Sequence, residues 1–489
     1  MSTSLVQQRN ALSEAKRKLL EGYLKGQFTD AGKNVVRINC RPTADSAPLS
    51  LAQEKIWRRE KMLAGRFLPH NECVTLKPDK WLDPDILERS FSEIISRHEI
   101  WRTNYRIVND QPVQVVRQPV NGFPLQVVDL RAVSEATQEV ELAKLYSEGA
   151  KRPFDLENGP LLRATLVTRS RDQRILVFAH LSIVDGVSVY QILPAELSSL
   201  CDAFSAGKPS QLEQLPIQYA DYAYWQRQWL SSHELTEQLT YWQKQYPGDL
   251  PAFRWPGVHS RCAVHTHRGA VRSFALRRTL RNMVKQFSQH EGVTLFTTLA
   301  ASLGTLLYCY THQTNIVIDT PSLGARKRSE FHTLLGHFLN PVSLRINLEK
   351  DPSFRELLLR TQAVVGDALA YDEVPAEIIA RHAPQGSASR NPFVTVAISL
   401  QPQTSEGAGW HVTSMDADSG GTIWDLYLAF VETPEGLVGR VQYSTDVFET
   451  NTLTRILDDL QLLMECVTAD PEQHISRLVF QLPVREVGS

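Results

Sequence analysis

Residues 175–188 constrain the fold more than any other stretch. The uninterrupted apolar run at 175–178 reads as a buried strand. Ala179, His180, Leu181, Ser182, Ile183 and Val184 follow, and then Asp185-Gly186, a turn signal. A helical pattern runs from 189 to 203. Strand, turn and helix in immediate succession point to an α/β chain. A His and an Asp at the mouth of such a unit are a reasonable place for chemistry. On this stretch alone, a satisfied core histidine and a helix-capping aspartate are the simpler reading. The functional reading has to come from the rest of the chain.

The chain has 489 residues, enough for two to four ordinary units or two large lobes. Residues 11–26 form an amphipathic helix with Leu12, Ala15, Leu19 and Tyr23 on one face. Such a helix is either a docking handle or a frayed terminus. Polar, turn-rich sequence follows it, so 1–47 is read as a helix and linker. A first lobe covers 48–262. It opens with a capped helix from Leu51 and a helix over 84–98. Residues 99–107 alternate like a strand, and 112–130 are strand-like again. A helix over 133–149 and strands near 161–167 and 174–178 complete the pattern. Aromatics crowd 216–246, which reads as two helices packing aromatic faces on a body. The Pro- and Gly-rich segment 247–262 is the inter-lobe connection. A second lobe, 263–489, carries helices over 277–291, 294–310, 352–370 and 450–468. Its strands fall near 316–319, 340–346, 394–400, 426–432 and 439–443.

The formal net charge is −2, and basic residues are scattered. Neither nucleic acid nor an anionic membrane is implied as a partner. The six cysteines, Cys40, Cys73, Cys201, Cys262, Cys309 and Cys466, lack metal spacing and read as reduced thiols of a cytoplasmic protein. No secretion signal or membrane span is visible. No phosphate-binding loop, dinucleotide fingerprint, nucleophile elbow or metalloprotease motif is present. Metal ligands are therefore expected to be none.

Nine short patterns occur in a fixed order: SLAQEKIW (50–57), SRHEIWRTNY (96–105), PFDLENGPLLR (153–163), HLSIVDGVS (180–188), YADYAYWQ (219–226), LGHFLNPVSLR (335–345), YDEVPAEII (371–379), SRNPF (389–393) and YSTDVF (443–448). Together they resemble the condensation domain of nonribosomal peptide synthetases. The resemblance implies two chloramphenicol-acetyltransferase-like α/β lobes in a V-shaped pseudo-dimer with a tunnel between them. It implies acyl or peptidyl carrier proteins as partners, with other synthetase modules or a tailoring enzyme as further candidates. Their phosphopantetheine arms would enter as substrates, and no directly bound cofactor is expected. The implied reaction is acyl or aminoacyl transfer in nonribosomal peptide or hybrid polyketide biosynthesis, making an amide or an ester.

The family signature is His-His-x-x-x-Asp-Gly. Here it is His180, Leu181, then Asp185 and Gly186. The resemblance pairs Asp185 with an arginine of the second lobe, Arg326, with Arg328 as the alternative. The second His of the signature, which handles the acceptor amine, is replaced by Leu181. Leucine has no lone pair and no proton to exchange. His337 is the candidate substitute, although an ordinary half-buried histidine is the simpler reading of it. At 371–376 the family's Gln and Phe are also missing. Two readings follow. In the first, the chain is a condensation enzyme in which positioning, with His180 and His337, compensates for Leu181. In the second, it is a catalytically silent condensation-like domain that recruits a carrier protein or tailoring enzyme. The chain's ends read like those of a free-standing protein, which leans toward the first.

Overall fold

The computed structural model describes residues 38–119, 122–245, 266–382, 396–401, 410–414, 418–433 and 436–478. The expected helix over 11–26, the connection at 247–262, the 389–393 pattern and Cys262 lie outside the described residues. Strands β1 (Ser46–Pro48), β2 (Asn71–Pro78), β3 (Thr103–Val108), β4 (Gln111–Val116), β5 (Gln126–Asp129), β6 (Leu162–Thr168) and β7 (Gln173–His180) come first in the chain. They are followed by β8 (Gly269–Ala275), β9 (Asn315–Ser322), β10 (Asn340–Asn347), β11 (Val396–Leu400), β12 (Trp410–Ser414), β13 (Leu426–Thr433) and β14 (Gly436–Ser444).

Two sheets form the centres of two lobes. The first runs β12-β2-β7-β6-β5 and the second β10-β9-β11-β13-β14-β8, with a small β1-β4-β3 sheet beside the first. Strand β12 lies late in the chain yet pairs antiparallel with β2, Trp410 opposite Pro78. Trp410 is buried in the first lobe's core. The lobes are therefore joined by a shared sheet as well as by packing.

Each core follows from the sequence locally. Helix Leu51–Leu63 begins at Ser50, whose side chain accepts from the Gln53 amide while Gln53 reaches back, a capping box. Helix Leu295–Thr311 is buried on every side from Phe296 to Leu307 and fills the second lobe's core, which a one-sided amphipathic helix could not do. Helices Tyr219–Trp229 and His233–Gln245 place their aromatics between the lobes. Tyr222 meets the rings of Phe331 and Phe338 at 5.1 and 4.8 Å, and Tyr241 stacks on Tyr371 at 4.4 Å.

Three expectations change. Residues Glu99–Arg102 form a 3-10 turn, and the strand starts only at Thr103. The Trp101 amide donates to the His98 carbonyl three residues back at 3.1 Å, a bond that an extended strand cannot make. The 112–130 stretch is two strands, β4 and β5, divided by Pro119 and Pro124, which lack the N–H that a ladder needs. The end of the expected linker is packed: Ile38 is in the core, and Arg41 is paired with Glu99 and Asp221. None of the described cysteines is in a disulfide; Cys201 and Cys309 are buried and Cys40 is exposed.

Candidate active site

Strand β7 ends at His180, and a short 3-10 turn, Leu181–Ile183, carries the chain into the helix. That helix opens with a π-turn over Ser188–Ile192 before its regular part, Leu193–Ser205. The loop between is held from below. The Ser182 carbonyl accepts from Gln53 Nε2 at 3.2 Å, and the Tyr105 hydroxyl lies 3.4 Å from it. The Leu181 amide donates to the His70 carbonyl at 2.8 Å. Leu181 and Gly186 are half-buried, while Ser182, Val184 and Asp185 are buried.

Asp185 is a helix-capping residue and an ion-pair partner at once. Its Oδ1 accepts from the Ser188 amide at 2.8 Å. Arg326 of the second lobe donates to it twice, Nε to Oδ2 at 2.9 Å and Nη2 to Oδ1 at 3.1 Å. Both side chains have no solvent exposure. The Phe338 amide donates to Oδ2 at 3.1 Å. Arg326 also donates to the Phe331 carbonyl at 2.8 Å and lies 4.5 Å from the Phe338 ring centre. Nearly every donor and acceptor of this buried pair is satisfied, the condition for tolerating two charges away from water. Arg328 lies elsewhere, on Glu373 and 4.8 Å from the Trp225 ring centre.

The second lobe's segment 335–338 is pressed against this loop. Ser188 Oγ lies 3.1 Å from the Gly336 amide and 3.0 Å from its carbonyl. Gly336 has φ +152°, and a Cβ there would meet Tyr219 Cδ2 at 2.2 Å, so only glycine fits. Tyr219 reaches in turn from Ser50 Oγ, 3.0 Å away, to the His337 carbonyl, to which it donates at 2.6 Å. His337 Nδ1 lies 3.1 Å from the Val184 carbonyl. A carbonyl can only accept, so Nδ1 carries the hydrogen and Nε2 the lone pair. Burial pulls the His337 pKa below the usual imidazole value, against the upward pull of Asp185. The ring is therefore neutral and basic at pH 7. The structure thus brings His180, Leu181, Asp185, Gly186, Arg326 and His337 to one junction between the lobes.

A narrow cavity of about 60 Å³ opens beside Gly186 and Val187. Its far wall is Ser322, Leu323, Lys327 and Asp372 of the second lobe. Burial pushes Asp372 up to about 6 despite its ion pair with Lys327. Neither residue was singled out by sequence, because nothing in the spacing of 327 and 372 links them.

A second cluster lies behind the loop. His180 Nδ1 lies 2.8 Å from Ser182 Oγ. Its Nε2 is buried without a hydrogen-bond partner and lies 3.8 Å from Glu60 Oε1. The same carboxylate oxygen is 2.5 Å from His70 Nδ1. Burial pushes His70 down to about 4, so the ring is neutral, although Glu60 pulls the other way. Glu60 and His70 escaped the sequence reading because helix and strand bring them to His180 from over a hundred residues away, with no motif. His180 itself is a buried histidine that faces this cluster.

A family model for the condensation domain matches residues 43–484. The chain belongs to the condensation domain family. A linear gramicidin synthase protein of Brevibacillus parabrevis is 37% identical over 438 residues, 88% of this chain and 8% of that protein. The chain thus spans under a tenth of that relative's length. Among solved structures, the first condensation domain of the calcium-dependent antibiotic synthetase, with a substrate analogue, has a TM-score of 0.75 at 18% identity. That match covers 89% of this chain and 99% of that one. The complex of the X-domain and OxyB from teicoplanin biosynthesis has a TM-score of 0.74 at 23% identity, covering 92% and 99%. The expected fold class stands: the domain has two chloramphenicol-acetyltransferase-like α/β lobes. Among the described residues no single helix is long and apolar enough to cross a membrane.

Proposed function

We propose that the domain joins two carrier-protein-bound substrates in nonribosomal peptide biosynthesis, with His337 in place of the base that Leu181 cannot supply. In this reading an amine on one phosphopantetheine arm attacks the thioester carbonyl on the other. The C–N bond forms, the C–S bond breaks, and the amine proton passes by way of His337 to the departing thiolate. The observation that carries the proposal is the His337 ring. It is seated on the Val184 carbonyl beside Asp185, neutral, with Nε2 as its basic atom. Positioning by the tunnel supplies the rest of the rate. An ester follows the same steps if the acceptor is a hydroxyl.

The test is single-turnover condensation by the purified domain with loaded donor and acceptor carrier proteins. Product should form well above the uncatalysed background. His337→Ala should lower the rate by about 10²- to 10⁴-fold, the usual worth of a general base. A wild-type rate at background refutes the proposal.

The Leu181 side chain favours a second reading, a silent domain that recruits another protein. The X-domain bound to OxyB is a protein of this fold in such a complex. Background turnover, tight binding of a tailoring enzyme and activity gained by Leu181→His would together establish it.

A further inference from the structure

We infer that Glu60, His70 and His180 form a binding site for one divalent transition-metal ion of the zinc type, fastening the start of the active-site loop to the end of helix Leu51–Leu63. One potential ligand atom from each of the three side chains lies within 4.8 Å of the other two. The donor set, two imidazoles and one carboxylate, is a zinc set with a position left for water. Around a tetrahedral ion with bonds of about 2.0–2.1 Å, neighbouring ligand atoms sit about 3.3 Å apart. The present separations from Glu60 Oε1, 2.5 Å to His70 and 3.8 Å to His180, bracket that value, so small side-chain shifts would close the site.

The independent observation is His180. Its Nε2 is buried with no partner, although burying a polar atom unsatisfied is costly. If Nδ1 accepts from Ser182, whose amide lies 3.4 Å from it, Nε2 has a hydrogen that faces Glu60 Oε1 at 3.8 Å, beyond hydrogen-bond range. If Nδ1 donates to Ser182 Oγ, Nε2 turns a lone pair toward an anionic carboxylate. A cation resolves the second case. It takes the lone pair, and the Ser182 hydroxyl then becomes the outer hydrogen bond that fixes a metal-bound imidazole. Arg59 Nη1 lies 3.5 Å from His70 Nε2, and this guanidinium has to turn away from the cluster when the ion enters. The site is separate from the proposed condensation chemistry, because no ligand is a residue given a proton-transfer role.

The experiment uses the whole chain, stripped with a chelator and titrated with Zn²⁺ alone by calorimetry and elemental analysis. One equivalent should bind, with a rise in melting temperature. His180→Asn and Glu60→Gln should each abolish that equivalent. Ser182→Ala keeps all three ligands and should bind about 10- to 100-fold more weakly, so it remains decisive if a ligand variant fails to fold. Co²⁺ in place of Zn²⁺ should give visible bands of a low-coordinate nitrogen and oxygen site. The inference is overturned if wild type binds no Zn²⁺, if Ser182→Ala binds as tightly as wild type, or if the cobalt spectrum carries thiolate charge transfer.

Discussion

Arg326→Met should separate the two lobes energetically. The guanidinium is fully buried and gives Asp185 two hydrogen bonds, at 2.9 and 3.1 Å. It also donates to the Phe331 carbonyl. Methionine fills part of the volume and the contact with Phe338 but donates nothing. Asp185 would keep the Ser188 and Phe338 amides and lose its paired counter-charge. Removing one partner of a buried pair costs about 3–5 kcal/mol, a large share of the roughly 5–15 kcal/mol that holds a domain folded. Urea denaturation followed by tryptophan fluorescence measures it as a lower midpoint at unchanged slope. The double variant Asp185→Leu/Arg326→Met should cost clearly less than the sum of the two single variants, because neither charge is then left orphaned. The cycle should yield a coupling of about 2–3 kcal/mol. If Arg326→Met costs under about 1 kcal/mol, or the double variant is as unstable as the sum of the singles, the pair does not tie the lobes as described.

Asp319 is buried with Oδ2 unpartnered, and burial lifts its pKa from 3.8 to about 7. The folded state therefore holds a proton that the unfolded state has released, and stability falls as pH rises from about 4 to about 7. Asp319→Asn should remove that slope and be more stable than wild type at pH 8 by up to about 4 kcal/mol, measured by urea midpoints across pH. Gly336→Ala forces a Cβ into the Tyr219 ring and should cost about 2–3 kcal/mol of stability while lowering turnover. Tyr219→Phe removes the hydroxyl between Ser50 and His337 and should cost about 1 kcal/mol by denaturation.

The parts of this fold written in local pattern were legible. Residues 175–205 advertise strand, turn and helix by hydrophobic run and Asp-Gly, and Ser50 with Gln53 marks a helix start. Strand β12 was not legible, because its partner β2 lies over 300 residues earlier and no local period records a pairing between lobes. Strand β8 was missed because its side chains are mostly half-buried or exposed. Of the site, Asp185 and Arg326 were reached through resemblance, since no spacing connects positions 141 residues apart. His337 was a residue type in a strand-like context; its tautomer and its seat on Val184 exist only in three dimensions. His180 was read as the frame of the motif, while its second ring nitrogen turns toward Glu60, beside His70, a neighbourhood that sequence distance hides.

The central claim is that condensation proceeds through His337 although Leu181 is inert. Single-turnover condensation with loaded carrier proteins, run for wild type and His337→Ala from pH 5 to 9, tests it most directly. The neutral imidazole is the base, so the wild-type rate should hold above the lowered His337 pKa and fall only below it. His337→Ala should lose about 10²- to 10⁴-fold and that acidic limb together. A His337→Ala enzyme with wild-type rate and an unchanged pH profile contradicts the claim.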